Sequence, residues 1–294
     1  MIASGIAGVN ANPNASGNAS GNAGVAAPAV TVTIDVEDYD REQNLPHFER
    51  AMDALLGLLD ERSVKATAFI VGTLATFRPS LVERIAGLGH EIGVHGHAHQ
   101  TLDSFDPQTF GALSADVRRR LEDLAGAPVV GYRAPHFSLT PSTSWAPAAL
   151  LEAGYQYSSS VLPTRGHHRH VGYSKAPRGP FRWGCGLLEL PCGLFAGIPV
   201  GGAYLRIAPA ALSRLMVRRA ARRTPWVYVH PHDFATDEPF AVMPEHSWFE
   251  SRVLFARRKV MLDRLTAAFG ANAAPPLKDR LDEIGRRELP VLPG

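Results

Sequence analysis

The sequence of 294 residues has few cysteines and no long apolar run. Its two cysteines, Cys185 and Cys192, are too few for a disulfide framework, and they do not form the Cys-x-x-Cys pair of a zinc ribbon. No segment approaches the roughly 20 apolar residues that a membrane-spanning helix needs. A secretory signal is not recognisable either, so we expect a cytoplasmic protein without a membrane span.

The chain also has little net charge. It contains 30 basic and 28 acidic residues, and its formal charge is +2 at pH 7. A charge this close to neutral gives no indication of nucleic acid or an anionic membrane as a partner. Arginine clusters at 118–120, 218–223 and 257–259 fall in helical patterns, and we interpret them as solvated helix faces.

Residues 1–29 contain no charged side chain and consist largely of alanine, glycine, asparagine, serine and valine. This composition buries little apolar surface, so we predict that the segment is disordered. We expect a catalytic domain over residues 30–270 and a C-terminal extension over residues 271–294.

Strand and helix patterns alternate after residue 29. Short β-branched or apolar runs predict strands, and amphipathic periodicity predicts helices. The strands are expected at 30–36, 65–71, 91–94, 128–132, 155–161 and 226–229, and the helices at 46–61, 79–88, 107–124, 142–153, 209–222 and 245–269. Such alternation predicts a parallel sheet that is either open or closed into a barrel.

Four polar residues follow predicted strands at the same end. Asp35, His95, Arg133 and His230 each lie at or just beyond the C-terminal end of a strand. In a barrel of parallel strands this end is the catalytic face. The four side chains are therefore expected to lie close together.

The segment 89–99, Gly-His-Glu-Ile-Gly-Val-His-Gly-His-Ala-His, is the richest in metal-binding side chains. His95 and His99 are four residues apart, and on a helical turn this spacing places both imidazoles on one face. Two imidazoles so placed can bind one divalent cation. A surface loop that happens to be rich in histidine is the alternative.

Three carboxylates, Asp35, Glu37 and Asp38, lie within four residues of one another and repel each other. A cation or an arginine would relieve this repulsion. One carboxylate and two imidazoles leave open coordination positions, as in a catalytic metal site, and a second carboxylate can act as a base. For the acidic cluster alone, a helix cap or a solvated turn is the alternative.

Four ordered motifs resemble those of the polysaccharide deacetylases, the NodB-homology group or carbohydrate esterase family 4. They are Thr-Ile-Asp-Val-Glu-Asp-Tyr at 33–39, the histidine segment at 89–99, Gly-Tyr-Arg-Ala-Pro at 131–135 and Val-His-Pro at 229–231. The resemblance spans residues 30–265 and implies an α/β fold, a distorted (β/α)7 barrel. The Asp-Val-Glu-Asp form is similar to the branch found with bacterial exopolysaccharide export systems.

The resemblance also implies the catalytic residues. Asp35 matches the catalytic base, Arg133 the arginine that holds this base, and His230 the general acid. The backbone N–H of His136, which follows Pro135, matches a donor to the oxyanion. We expect Pro135, His136 and Glu37 to contact the substrate.

The metal ligands follow from the same resemblance. His95 and His99 match the two metal-binding histidines, and Asp38 matches the metal-binding carboxylate. Glu37 competes with Asp38 for this role because the spacing differs from the usual adjacent pair of aspartates. One divalent ion is implied; zinc fits the ligands best, and cobalt, nickel or manganese also suits them.

The implied function is metal-dependent removal of acetyl groups from N-acetylated amino sugars or polysaccharide, so the expected partner is an acetylated saccharide. Hydrolysis of another small amide, ureide or ester on the same fold is one alternative. An inactive carbohydrate-binding relative is another, because Ser158 stands where relatives usually carry an aspartate that braces the arginine. With Ser158 there, Arg133 must find another partner, for which Asp35 is a candidate.

Overall fold

The computed structural model describes residues 29–38, 45–165, 171–243, 247–270 and 273–293. The predicted disorder of residues 1–29 lies outside these ranges except at Ala29. The strands are β1 (Thr31–Val36), β2 (Thr67–Ile70), β3 (Glu91–Val94), β4 (Gly131–Tyr132), β5 (Tyr157–Ser158), β6 (Phe181–Trp183), β7 (Leu188–Glu189), β8 (Leu194–Phe195), β9 (Ile198–Pro199), β10 (Trp226–Val229) and β11 (Val291–Leu292).

The helices are α1 (Leu45–Glu61), α2 (Gly72–Phe77), α3 (Pro79–Gly87), α4 (Pro107–Ala125), α5 (Ala146–Glu152), α6 (Gly202–Ile207), α7 (Ala210–Ala220), α8 (Trp248–Phe255), α9 (Met261–Phe269) and α10 (Leu281–Gly285). The apolar spacing that predicted α1 is also the reason for its packing, since Met52, Leu55 and Leu59 are buried on one face. Among the described helices, none is long and apolar enough to cross a membrane.

Seven parallel strands form the sheet that carries the site. Their order is β10-β1-β2-β3-β4-β5-β7, and every neighbouring pair in this series is parallel. β6 pairs antiparallel with β7 and parallel with β11. The parallel α/β architecture predicted from the alternating patterns is confirmed.

An irregular segment connects the two ends of the parallel series. In the part of the chain that the structure describes, β7 and β10 share no ladder. Instead, Cys192 N–H donates to the Val161 carbonyl over 2.8 Å, the β8–β9 hairpin follows, and Gly201 forms a parallel bridge with Tyr228 of β10. The distortion of the barrel is located at this segment.

Close packing explains the glycine at position 201. A Cβ atom there would lie 2.2 Å from the Tyr228 ring and 2.5 Å from the Tyr228 carbonyl oxygen. We therefore expect Gly201→Ala to lower the free energy of unfolding by about 1–3 kcal/mol, the usual range for overpacking. The measurement is urea denaturation at equilibrium.

The matched control is Gly57→Ala, in the middle of α1, where a new Cβ has nothing within 4 Å. Alanine is the better helix former, so this change is expected to raise stability by up to about 1 kcal/mol. Equal effects of the two substitutions would contradict the packing argument.

The single helix predicted at 245–269 is wrong. The structure has α8 and α9 instead, separated by extended Ala256 and left-handed Arg257 with φ 57°. The fully buried guanidinium of Arg206 donates to the carbonyls of Val253 and Leu254 at the end of α8, over 3.2 and 2.6 Å. These donors replace the helical hydrogen bonds that a continuous helix would make.

The segment 273–293 packs against the N-terminal end of the sheet. Ala274 N–H donates to the Val30 carbonyl over 3.1 Å, and Lys278 N–H donates to the Glu91 carboxylate over 3.0 Å. Burial raises the pKa of Glu91, against hydrogen bonds from Thr67 and other donors that lower it. The predicted C-terminal extension is thus an integral layer at the face opposite the catalytic residues.

Candidate active site

Strand geometry places Asp35 and Glu37 on one side of the chain. They are two residues apart at the end of β1, where successive side chains alternate between the two faces. Both are buried, with 2% and 6% of their surface exposed. Asp38 has the opposite parity and lines a small second cleft, which Glu37, His47 and Glu238 also border.

Glu37, His95 and His99 form a group whose ligand atoms all lie within 4.8 Å of one another. The His95 Nε2 atom is 3.4 Å from the Glu37 carboxylate, and the His99 Nε2 atom contacts the same carboxylate oxygen. Burial alone would raise the pKa of Glu37, but the neighbouring His99 and His95 hold it well below its usual value. Of the two carboxylates that the sequence left as candidate metal ligands, Glu37 and not Asp38 is grouped with the two histidines.

The orientation of His95 suits a metal ligand. Its Nδ1 atom lies 2.9 Å from the Arg133 carbonyl oxygen, and because that oxygen only accepts, Nδ1 carries the proton. Nε2, on the side of Glu37 and His99, is then the nitrogen that a metal ion would bind. A backbone carbonyl that fixes the tautomer of a histidine is a common outer partner in metal sites.

Arg133 is buried and holds Asp35. Its Nη1 donates to the Asp35 carboxylate over 2.7 Å and to Thr33 Oγ1 over 2.8 Å, and its Nη2 donates to Ser159 Oγ over 2.9 Å. Its Cζ atom lies 4.2 Å from the centroid of the Phe69 ring, which adds a cation–π contact. The partner that the arginine was expected to need is therefore Asp35, assisted by two hydroxyl groups.

Ser158 donates to Ser160 Oγ over 2.8 Å and leaves the arginine to these other partners. On the adjacent strand, Glu189 accepts from the backbone N–H groups of Ser160 and Val161 over 2.7 and 3.0 Å. Burial raises the pKa of Glu189, while hydrogen bonds from Trp183 Nε1 and from the two backbone N–H groups lower it. Glu189 is fully buried and has a structural role in orienting the strand end.

His230 follows β10 and faces both carboxylates. Its Nε2 atom is 3.8 Å from Asp35 Oδ2 and 3.7 Å from Glu37 Oε1. Its Nδ1 atom is 3.3 Å from the carboxylate of Asp233, which also accepts from the His230 backbone N–H over 2.9 Å. Burial lowers the pKa of His230, but Asp233 and the other carboxylates raise it to about 9.

Asp233 is in turn held by Arg206, whose Nε donates to its second oxygen over 2.9 Å. Both side chains are fully buried. The ligand atoms of His230, His232 and Asp233 also lie within 4.8 Å of one another. Because Asp233 is already bonded to Arg206 and His230, we interpret this second group as the support of His230. Burial lowers the pKa of His232 to about 3, so its ring is neutral at pH 7.

The Asp233 contact predicts a shift in the pH profile. Asp233→Asn removes a negative charge beside His230, so the pKa of His230 should fall by about 1–3 units. A general acid must be protonated, and the basic limb of kcat/KM should move to lower pH by a similar amount. The measurement is the rate of acetate release between pH 6 and pH 11.

Asp237→Asn is the control because Asp237 is an exposed carboxylate paired with Arg50. It should leave the basic limb in place. Thermal denaturation of both variants verifies folding, since Asp233→Asn also removes the partner of a buried arginine. A basic limb that stays in place in folded Asp233→Asn would exclude His230 as the acid.

A cavity of about 460 Å³ opens over these residues. Asp35, Glu37, His95, His99 and His230 line its polar part. The remaining wall is formed by Ala134, His136, Phe137, Gly202, Ala203, Tyr204, Tyr228, His232, Phe249, Glu250, Val253 and Leu254. Small-molecule sites commonly combine such an apolar wall with a few convergent polar groups.

The two predicted substrate-contact residues after Arg133 differ in position. His136 is exposed at the cavity, has a left-handed backbone with φ 56°, and packs its ring 4.7 Å from that of His99. Pro135 is buried and is not among the described residues that line the cavity. Pro135 instead approaches Gly96, where a Cβ atom would lie 3.0 Å from its ring.

Asp233, Arg206 and the aromatic wall were not predicted from the sequence. The role of Asp233 could have been predicted from its position, since a carboxylate three residues after His230 can reach back to it. Nothing in the sequence indicated a role for Arg206, because it lies between apolar residues in a helix of ordinary composition. Tyr204 and Phe249 reach the cavity only through the packing of α6 on α8.

Two family models together match most of the described chain. Residues 24–158 match a model described as polysaccharide deacetylase. Residues 159–273 match a model described as a domain of unknown function, DUF3473. Asp35, Glu37, His95 and His99 belong to the first segment, while His230 belongs to the second.

The chain is similar to proteins named as deacetylases. It is 32% identical to a peptidoglycan deacetylase-like protein of Gibberella zeae over 123 residues, which are 40% of this chain and 34% of that protein. It is 33% identical to a peptidoglycan-N-acetylglucosamine deacetylase of Bacillus cereus over 82 residues, which are 28% of this chain and 30% of that protein. The chain therefore spans about a third of the length of these curated relatives.

A solved structure extends the likeness to the fold. A Mycobacterium smegmatis protein assigned to the polysaccharide deacetylases superposes with a TM-score of 0.57 at 22% identity. The superposition covers 90% of this chain and 95% of that one. The fold predicted from the ordered motifs is thereby confirmed. Over residues 24–158 the chain matches the polysaccharide deacetylases, the NodB-homology group or carbohydrate esterase family 4.

Proposed function

We propose that this protein is a metal-dependent hydrolase that removes acetyl groups from N-acetylated amino sugars or from a polysaccharide that contains them. One observation carries the proposal. The buried Asp35 lies 3.8 Å from His230, directly beside the group of Glu37, His95 and His99, at the base of one cavity. A base, an acid and a potential metal site are thus within reach of one amide bond.

The donor set suits a divalent ion. Two imidazoles and one carboxylate offer nitrogen and oxygen ligands with positions left open, and the tautomer of His95 is already set for binding through Nε2. Zinc fits this set best, and cobalt, nickel or manganese also suits it. Such an ion would polarise the acetyl carbonyl and make water a better nucleophile.

The protein side chains would divide the proton transfers between them. Asp35, held by Arg133, takes the proton of the attacking water, because its second oxygen faces the cavity and His230. His230, which Asp233 keeps protonated, donates a proton to the departing amine. The backbone N–H of His136, a residue exposed at the cavity, would stabilise negative charge on the acetyl oxygen, as the resemblance implies.

The test is acetate release from chitooligosaccharides and from free N-acetylhexosamines, with and without a chelator. We expect release that the chelator abolishes and that added zinc restores, with cobalt, nickel and manganese tested in parallel. Absence of chelator-sensitive release from every acetylated sugar would contradict the proposal. Release that persists after complete metal removal would contradict the metal dependence alone.

The two alternatives predict different products. A ureide or small-amide hydrolase would act on purine-derived ureides in the same screen and leave the saccharides intact. An inactive relative would bind chitooligosaccharides without releasing acetate. The hydrogen bonds of Arg133 favour an active enzyme, because the arginine and Asp35 are held together without an aspartate at position 158.

A further inference from the structure

The near-neutral net charge hides a strong segregation of charge along the chain. Residues 153–232 contain eleven lysines and arginines but one acidic residue, the buried Glu189. Their formal charge is +10, although that of the whole chain is +2. Charge asymmetry of this size along a sequence is a reason to look for an anionic partner where the exposed arginines gather.

Part of this positive charge is gathered in one pocket. The loop at Arg178, the β8–β9 hairpin and the end of α7 enclose a cavity of about 240 Å³. Its lining residues are Arg178, Leu194, Ala196, Gly197, Arg219, Ala220, Arg222, Arg223 and Thr224, with no carboxylate among them. None of these residues lines the catalytic cavity.

The four arginines of this pocket are exposed, and none makes an ion pair or a side-chain hydrogen bond with any residue that the structure describes. Several arginines elsewhere on the surface are paired with carboxylates. Arg50 pairs with Asp237 and Arg118 with Glu122, and several others have similar carboxylate partners. Arginines without a described partner also occur outside this site, for example Arg214 and Arg218 on α7. What distinguishes the site is that four such arginines line one concavity without a carboxylate, and we call it the arginine pocket.

Helix capping does not account for this arrangement. Cations in the last turn of a helix interact favourably with its dipole, which explains Arg219. Arg222 and Arg223 lie beyond the end of α7, and Arg178 comes from a distant loop. Grouping like charges in a concave site raises the free energy of the protein unless an anion binds there.

We propose that the arginine pocket binds a compact, multiply charged oxyanion, namely a phosphate or diphosphate group. The planar fork of a guanidinium matches the oxygens of a phosphate, and several arginines can share one such group. The small enclosed volume favours a compact group over a flat bilayer or an extended polyanion, whose charges are spread out. The pocket is separate from the catalytic cavity, so this proposal does not depend on the deacetylase activity.

The probe is inorganic pyrophosphate, titrated into the full-length protein by calorimetry at fixed ionic strength. Arg222→Ala combined with Arg223→Ala removes two pocket arginines, and we expect the affinity to fall about 10-fold or more per arginine. Arg214→Ala combined with Arg218→Ala is the matched control. It removes two exposed charges from the same helix without touching the pocket lining, and it should lower the affinity less than about 3-fold.

Thermal denaturation without ligand tests whether both double variants fold. We expect that they do, because the substituted side chains are exposed. Free phosphate and a nucleoside diphosphate distinguish an isolated anion from the diphosphate of a larger ligand, and pocket-dependent binding of either one supports the proposal. Equal weakening by both double variants would overturn it in favour of a diffuse basic surface. So would binding to phosphatidylglycerol vesicles without pocket-dependent binding of pyrophosphate, because the partner would then be a membrane.

Discussion

Asp35→Asn is expected to lower kcat for acetate release by about 10²–10⁴-fold, the usual contribution of a general base. The asparagine oxygen can still accept from Arg133 Nη1, which donates to Asp35 over 2.7 Å, so the position of the side chain should change little. The amide cannot take up a proton from water. Because Asp35 is not in the group of potential metal ligands, metal content should stay the same.

Two measurements make this result interpretable. Steady-state kinetics gives the loss in kcat, and elemental analysis after dialysis gives the metal bound per protein. Asp116→Asn serves as the control because Asp116 is a highly exposed partner of Arg119, and it should leave both quantities unchanged. Turnover unchanged in Asp35→Asn would remove Asp35 from the mechanism, and loss of metal would instead make it a ligand.

Glu37→Gln is expected to weaken metal binding by more than about 100-fold. Loss of a residue that only supports a ligand costs roughly 10–100-fold, and loss of a ligand itself should cost more. The carboxylate of Glu37 contacts both His95 and His99. Burial raises the pKa of Glu37, but these two histidines hold it well below the usual value. An amide in its place would leave two neutral imidazoles to bind the ion. Activity should fall in parallel with metal occupancy and recover in part at high metal concentration.

Asp38→Asn distinguishes the two candidate carboxylates. Asp38 is not in the group formed by Glu37, His95 and His99, so we expect its substitution to change metal affinity less than about 3-fold, within the range of ordinary electrostatic effects near a site. The measurement is competition with a chromophoric chelator for zinc, applied to both variants. The reverse order of effects would restore Asp38, the carboxylate first indicated by the motif, as the ligand.

Much of the fold could be predicted because it depends on local periodicity. The β-branched runs at β1, β2, β3 and β10 and the amphipathic spacing of α1 and α4 are short-range signals, and each produced an element close to its predicted bounds. The irregular closure between β7 and β10 could not be predicted, because its strands have two residues each and depend on distant partners.

The part of the candidate site that lies at the ends of strands could be predicted from the sequence. Asp35, His95, Arg133 and His230 meet because the carboxyl ends of parallel strands share one face. The choice between Glu37 and Asp38 needed the parity of side chains at the end of β1, which motif spacing alone did not settle. The break after α8 depends on the buried Arg206, and periodicity carries no information about a cation inserted from another helix.

The order of the sheet has a practical consequence for dissecting this protein. The segment 24–158 supplies β1 to β5, five adjacent strands, while 159–273 supplies β10 beside β1 and β7 beside β5. A fragment cut between residues 158 and 159 would expose the backbone donors and acceptors of β1 and β5, two strands that are buried in the whole chain. Unpaired strand edges form hydrogen bonds with the strands of other copies of the chain, which leads to aggregation. Attempts to produce either half alone should therefore yield insoluble aggregates, whereas joint expression of the halves offers each edge its natural partner.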